Sequence, residues 1–512
     1  MGAQQTIHPA GDQGGYQDVG QGVDVERQFQ VHPGEPQRKR LGGQLDVLRQ
    51  RIGQQNRGRE EAQGPGGRQV GHASHIRIVP FPLTPSLDVS LPILYDTCAP
   101  VARWAIVLGK DIAMRIGMLA DMYKPHVSGV TNYISLNKRF LEDLGHEVFV
   151  FTFGGMDYED EESNIIRSPG LPLVDTGVYL NVRYTREAAR LLHSMDVVHV
   201  HHPFLSGRLA LWHCQPRGIP VAFTNHTRYD LYSQIYLPML PESVGESFLK
   251  AYLPSFCRQC DLVIAPSAGL RDVLRRLQVD APIEVIPNGV DLQRFEREIT
   301  PVPRESLGFE RDDVVLVYVG RLGREKNLPF LLRAFKGVAE ALEDARLLIV
   351  GDGPERENLE DRALHMGLRE RVRFTGLVPY EEIPRYYKVA DAFVTASVTE
   401  VHPLSVIEAM AAGLPVLGIQ SPGVGDTVED GVTGLLAQEE DLAAFTAKMV
   451  RLVSEDGLRC EMGERARKAS AQYDIRRTSR LVLEHYERLV RAAKPRRRSL
   501  RARWLHFVDK WK

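Results

Sequence analysis

The feature that most constrains this chain is a series of eleven short apolar runs set between amphipathic helical stretches. They lie at residues 115–120, 147–152, 197–201, 220–224, 262–266, 283–287, 314–320, 346–350, 372–375, 392–395 and 415–418. A strand with one wet face alternates apolar and polar residues. A run such as VVLVYV has no polar face, so it must be covered on both sides. Strands separated by helical stretches read as βαβ units and hence as parallel sheets. The runs fall into two groups, before and after a charged, proline-containing segment at 295–311. The expected fold is α/β, with two Rossmann-like domains facing a cleft. Ligands of such sheets bind beyond the carboxyl ends of the strands. The expected limits are 114–300 for the first domain and 301–475 for the second, with a C-terminal helix and tail over 476–512.

Residues 1–113 read differently. They are rich in Gln, Gly and Arg with little periodic apolar content, and such a stretch cannot bury enough surface to offset its chain entropy. We expect disorder there. The character changes at Met114, where MRIGMLAD opens the first strand, and a methionine in that place raises a second expectation: translation begins at Met114.

The formal net charge of −2 gives no whole-chain reason to expect nucleic acid as a partner. Five cysteines are too few and too scattered for a disulfide framework. Cys257 and Cys260 form a lone CxxC without the second ligand pair that a zinc site needs, and read as small buried residues ahead of a strand. No run approaches the roughly 20 apolar residues of a membrane span, and the N-terminus lacks the pattern of a signal peptide. A cytosolic protein is expected.

The sharpest motif is TASVTEVHPLSVIEAMAAGLPV, which holds Glu400 and Glu408. Glu400 follows the strand at 392–395. A helix starts near Pro403, a favourable first-turn position for proline, and stops at Gly413. The free N–H groups of Leu404 and Ser405 then offer an anion site, flanked by two carboxylates. Hydroxyls at both ends and phosphates between them describe a nucleotide sugar. By spacing alone, Glu400 and Glu408 read equally well as a loop residue and a solvated helix residue. Arg321 and Lys326, in VGRLGREKN, follow another strand directly and would supply phosphate-binding cations.

Together these segments resemble the retaining glycosyltransferases of family 4, with the GT-B fold. The resemblance rests on G-R-L-x-x-E-K-N from Gly320, V-G-D-G-P from Val350 and T-E-x-x-P-L-x-x-x-E-A-M-A-x-G-x-P-V from Thr399, and covers the chain from Met114 to about Val490. It implies that Arg321 and Lys326 bind the donor diphosphate, Glu408 the ribose hydroxyls and Glu400 the hydroxyls of the donor sugar. It places Gly351 and Gly353 where the backbone approaches the nucleoside, and Leu377 and Val378 at the base. In the first half it implies that Gly129 brings backbone amides to the ligand, in a loop where the family often has two glycines and this chain has Ser128-Gly129. His226, in AFTNHTRYD, matches the active-site histidine near the sugar's 6-hydroxyl. His199, His201 and His202, in VVHVHHP, lack an evident third metal ligand and are expected to line the cleft. No metal or other cofactor is required, and nothing in the sequence calls for Mg2+.

Two features bear on the acceptor. The segment after His226 gathers Tyr229, Tyr232 and Tyr236 and resembles bacterial diacylglycerol glucosyltransferases; it reads nearly as well as a core helix. From Arg491 to Lys512 nine Lys/Arg stand against one acid, Asp509, a net of +8, interleaved with Trp504, Phe507 and Trp511. Basic residues at an anionic surface contribute about 1 kcal/mol each, and tryptophans favour the interface. The expectation is a hexose, glucose from UDP-glucose, moved onto a lipid such as 1,2-diacylglycerol by an enzyme peripheral at the inner face of the cell membrane. Alternatives are the same chemistry on phosphatidylinositol, a glycan or a small metabolite, with GDP-mannose or UDP-GlcNAc as donor. A nucleotide-sugar epimerase and a non-catalytic sugar-nucleotide binder are readings of a different class.

Overall fold

The computed structural model describes residues 113–493 apart from 127, 155–157, 173–178, 182 and 232–241. The N-terminal stretch, Tyr232, Tyr236 and the tail beyond residue 493 lie outside the described residues.

Two parallel sheets carry the fold. The first contains β1 (Arg115–Leu119), β2 (Glu147–Gly154), β3 (Ile165–Pro169), β4 (Val197–Val200), β5 (Val221–Thr224), β6 (Leu262–Ala265) and β7 (Ile283–Val285). Their order is β3-β2-β1-β4-β5-β6-β7. The second contains β8 (Val314–Val319), β9 (Ala345–Val350), β10 (Val372–Phe374), β11 (Ala392–Val394), β12 (Val416–Ile419) and β13 (Gly434–Ala437), in the order β10-β9-β8-β11-β12-β13. All eleven apolar runs are strands, and the central ones are buried along their whole length apart from Arg115 at the start of β1, as coverage on both faces requires. Within these two sheets the unforeseen strands, β3 and β13, are outer edges. IIRSP carries Arg167 and is only partly buried, and GLLA offers two large apolar residues, so neither stands out as a run.

The strand orders fix where a ligand can sit. Each sheet reverses direction at one pair of neighbours, β1/β4 in the first and β8/β11 in the second, and the crevice beyond their carboxyl ends is the site that such a reversal opens. In the first sheet these ends carry Asp121 and His201–His202; in the second they carry Arg321 and, through its loop, Glu400.

Helix α1 (Gly129–Asp143) follows β1 and is started by Ser128, whose Oγ accepts from the Thr131 N–H at 3.2 Å. Helix α2 (Leu404–Ala411) follows β11. Helix α3 (Ile475–Ala492) returns from the second half to the first, where Val482 and Tyr486 join a core cluster with Met114, Ile116 and Val148. The two chain crossings between the halves are paired: Val290 donates to the Tyr473 carbonyl at 2.9 Å, and Ile475 donates back to Val290 at 2.9 Å. Asp291 beside them takes Arg139 of α1 at 2.8 Å and Arg476 of α3 at 3.4 Å. The second domain, expected to end at 475, is thus followed by a helix that belongs to the first half's core.

Candidate active site

The reversal points face one cleft of about 1860 Å3. Into it come Gly129 and His226 from the first half. From the second half come Arg321, Lys326, Gly351, Gly353, Leu377, Val378, Glu400, Leu404, Ser405 and Glu408. Residues from six separate stretches of sequence thus meet in one place.

Its cationic part is built on the loop after β8. Lys326 Nζ lies 2.5 Å from Glu400 Oε1, each side chain about one-fifth exposed. Arg321, half exposed, pairs with Glu325 at 2.6 Å. The buried Tyr318 hydroxyl donates to the Arg321 carbonyl at 3.1 Å and fixes the loop. Burial, then Glu400 and Glu325, push that phenol well above its usual pKa, so it stays a donor. Helix α2 begins here with Pro403 as its N-cap and no side chain capping it, which leaves the first amides open to an anion. Across the cleft, half-buried His126 is held below the ordinary imidazole range by burial and then by Arg321 and His202.

Glu408, on α2, is buried rather than solvated. Tyr380 donates to its Oε1 at 3.0 Å, and Tyr387 shares its hydroxyl proton between the Ser405 carbonyl at 3.0 Å and Glu408 Oε2 at 3.3 Å. Burial raises its pKa to about 7, against the Tyr380 hydrogen bond, the Arg294 charge and the Tyr387 hydrogen bond, which lower it. Arg294 comes from the crossing segment, stacks 4.0 Å over the Tyr380 ring and donates to its carbonyl at 2.5 Å. A carboxylate held this way can accept hydrogen bonds from a vicinal diol.

Gly351 and Gly353 have a local reason besides ligand approach. A Cβ on Gly351 would stand 2.0 Å from the Gly320 carbonyl, and one on Gly353 2.6 Å from the Leu322 carbonyl. Their absence of side chains lets the β8 and β9 loops dock backbone to backbone, with Leu322 N–H donating to the Asp352 carbonyl at 2.9 Å. A Cβ on Gly129 would meet nothing within 4 Å. Leu377 is about three-quarters exposed, an apolar face free to stack on a ring.

The histidines divide. His202 lines the cleft, whereas His199 and His201 do not: both are buried beneath it, because β4 turns them into the layer under α1. Tyr229 is also in the core, 2% exposed and edge-on to Phe204 at 5.3 Å, and is not among the residues lining the cleft. The aromatic wall that the first half gives the cleft is instead formed by Phe204, Phe248 and Tyr252, stacked at 5.5–5.7 Å. Cys257 and Cys260 are buried and free. Among the described residues no group of three His, Cys, Asp or Glu is placed to hold a metal ion, and no helix is long and apolar enough to cross a membrane.

Residues 301–469 match the model for glycosyl transferases group 1, and residues 127–294 match that for glycosyltransferase family 4. The alpha-monoglucosyldiacylglycerol synthase of Streptococcus pneumoniae is 34% identical over 64% of this chain and 77% of its own. The chain belongs to glycosyltransferase family 4. A second alpha-monoglucosyldiacylglycerol synthase, from Acholeplasma laidlawii, is 30% identical to this glycosyltransferase over 64% of its chain and 86% of the relative's. The structure of Anabaena HepE in complex with UDP and glucose superposes with a TM-score of 0.60 at 18% identity, covering 73% of this chain and all of that one. The two sheets are therefore those of a GT-B hexosyltransferase.

His126, Arg294, Tyr380 and Tyr387 escaped the sequence reading. His126 had a signal, lying three residues before Gly129 in the same loop. The others had none, since only the crossing of the halves and the fold of the second domain bring them to Glu408.

Proposed function

We propose that this glycosyltransferase moves glucose from UDP-glucose onto the hydroxyl of 1,2-diacylglycerol with retention of anomeric configuration. The observation that carries the choice of substrates is the match to two alpha-monoglucosyldiacylglycerol synthases over 77% and 86% of their lengths. UDP and glucose accompany the structural neighbour HepE, which supports the donor.

In this reading the diphosphate lies between Arg321, Lys326 and the amides of Leu404 and Ser405, with the ribose on Glu408 and the base against Leu377 and Val378. Lys326 already contacts Glu400, so phosphate and sugar would be recognised by adjoining groups. Glu400 and His226 hold the sugar's hydroxyls. The acceptor oxygen attacks the anomeric carbon on the face from which UDP departs, the carbon–oxygen bond to the phosphate breaks, and the acceptor proton passes to the departing phosphate oxygen. The cations and amides stabilise the charge that grows there more in the transition state than in the ground state. The basic tail would hold the enzyme on the anionic inner face of the membrane.

The test is transfer of label from a panel of nucleotide sugars to mixed lipid vesicles. Labelled monoglucosyldiacylglycerol from UDP-glucose is the expected product. Labelled lipid from no donor, or label moving only to water-soluble acceptors, defeats the lipid reading.

A further inference from the structure

What His226 offers the cleft is decided one layer below it. His201 is fully buried, 5.7 Å from the Tyr133 ring and 4.2 Å from the His199 ring. His199 has both nitrogens engaged, Nδ1 with the Tyr486 hydroxyl of α3 and Nε2 with Thr224 Oγ1 at 2.7 Å. His201 has one partner: its Nδ1 lies 3.1 Å from Nε2 of His226, and its own Nε2 meets no polar atom. Burial first, then the neighbouring imidazoles, hold both rings well below the ordinary pKa, so each carries a single ring proton.

Two arrangements of those protons satisfy the 3.1 Å contact. If His226 donates from Nε2, the proton of His201 sits on its Nε2, a buried donor among rings with no acceptor. If His201 donates from Nδ1, its buried N–H finds a partner in His226, and the proton of His226 moves to Nδ1, the nitrogen not turned to His201, on a residue that lines the cleft. What remains unpaired is a lone pair, and orphaned buried donors are rarer in folded proteins than under-used acceptors. We infer that His201 is a positioning residue that donates from Nδ1 to His226 and thereby fixes His226 as the Nδ1–H tautomer facing the cleft.

His226 then gives a hydrogen bond to an oxygen of the bound sugar and has no free lone pair with which to take the acceptor's proton. It is a hydrogen-bond donor to the substrate and not a general base. The inference rests on the proposed function only for the identity of the group that His226 meets.

The test is a long-range proton–nitrogen correlation spectrum of the full chain labelled with 15N-histidine, the His226 signals being identified by their loss in His226→Gln. The expected spectrum has His226 protonated at Nδ1 and bare at Nε2; a proton on Nε2 overturns the inference. No substrate is needed, so a mistaken donor or acceptor would appear as missing product with this tautomer intact. A second arm compares His201→Asn, which keeps an amide donor near the place of Nδ1, with His201→Leu, which removes it. His201→Leu should lower kcat about five- to tenfold, the size of one lost hydrogen bond. His201→Asn should recover most of that loss. An asparagine variant no better than the leucine variant contradicts the positioning role.

Discussion

Glu408 gives a pH dependence whose sign and size follow from its surroundings. Its carboxyl is displaced from an ordinary 4.5 to about 7 because it is buried, and two tyrosine hydroxyls and Arg294 only partly compensate. A shift of this size corresponds to about 3 kcal/mol. Because the folded pKa lies above the unfolded one, the associated stability is fully present below pH 4.5 and is lost as pH rises through 7. The free enzyme should thus lose stability over that window, and Glu408→Gln should remove the loss. Donor binding runs the other way, since accepting from two ribose hydroxyls needs the carboxylate. Roughly a tenth of the groups are ionised at pH 6 and nine-tenths at pH 8, so UDP should bind about tenfold more tightly at pH 8. Calorimetric titration of UDP into wild type and Glu408→Gln across pH 5.5–8.5 measures it, the variant correcting for ionisation of the phosphate. A pH profile identical in the two proteins would refute the argument.

Three further outcomes are expected. Lys326→Ala should lower kcat by about 10²–10³ yet change the urea midpoint little, because the pair with Glu400 is partly exposed; kcat within threefold of wild type would remove Lys326 from catalysis. Gly351→Ala should cost at least about 2 kcal/mol in urea unfolding and weaken UDP binding, since its Cβ would lie 2.0 Å from the Gly320 carbonyl; an unchanged midpoint would contradict that docking. Deleting residues 494–512 should reduce flotation with anionic vesicles while leaving UDP affinity intact, and unchanged flotation would end the anchor reading.

Most strands were legible because burial on both faces leaves continuous Val, Ile and Leu runs; β3 was not because it carries Arg167 and is only partly buried, and β13 was not because it holds just two large apolar residues. The donor side of the site was legible for a related reason. Loops at the reversal points carry their chemistry in short, dense motifs, so Arg321, Lys326, Glu400 and Glu408 could be named before any geometry was known, and the structure brings all four to one cleft. Glu408 was legible in position but not in environment: a helix residue at that spacing reads as solvated or buried alike, and only Tyr380 and Tyr387 decide it. Tyr229 was misplaced because an aromatic segment has no periodicity that separates a cleft wall from a core. His199 and His201 were misplaced because an alternating strand shows which residues share a face but not which face meets the cleft.

The most direct test of the account is the structure of the enzyme soaked with UDP. The diphosphate should lie at the start of α2 between Arg321 and Lys326, with Lys326 drawn from Glu400 toward a phosphate oxygen and the ribose hydroxyls on Glu408. A nucleotide bound elsewhere, or bound in this cleft with Glu408 still held only by its two tyrosines, would contradict it.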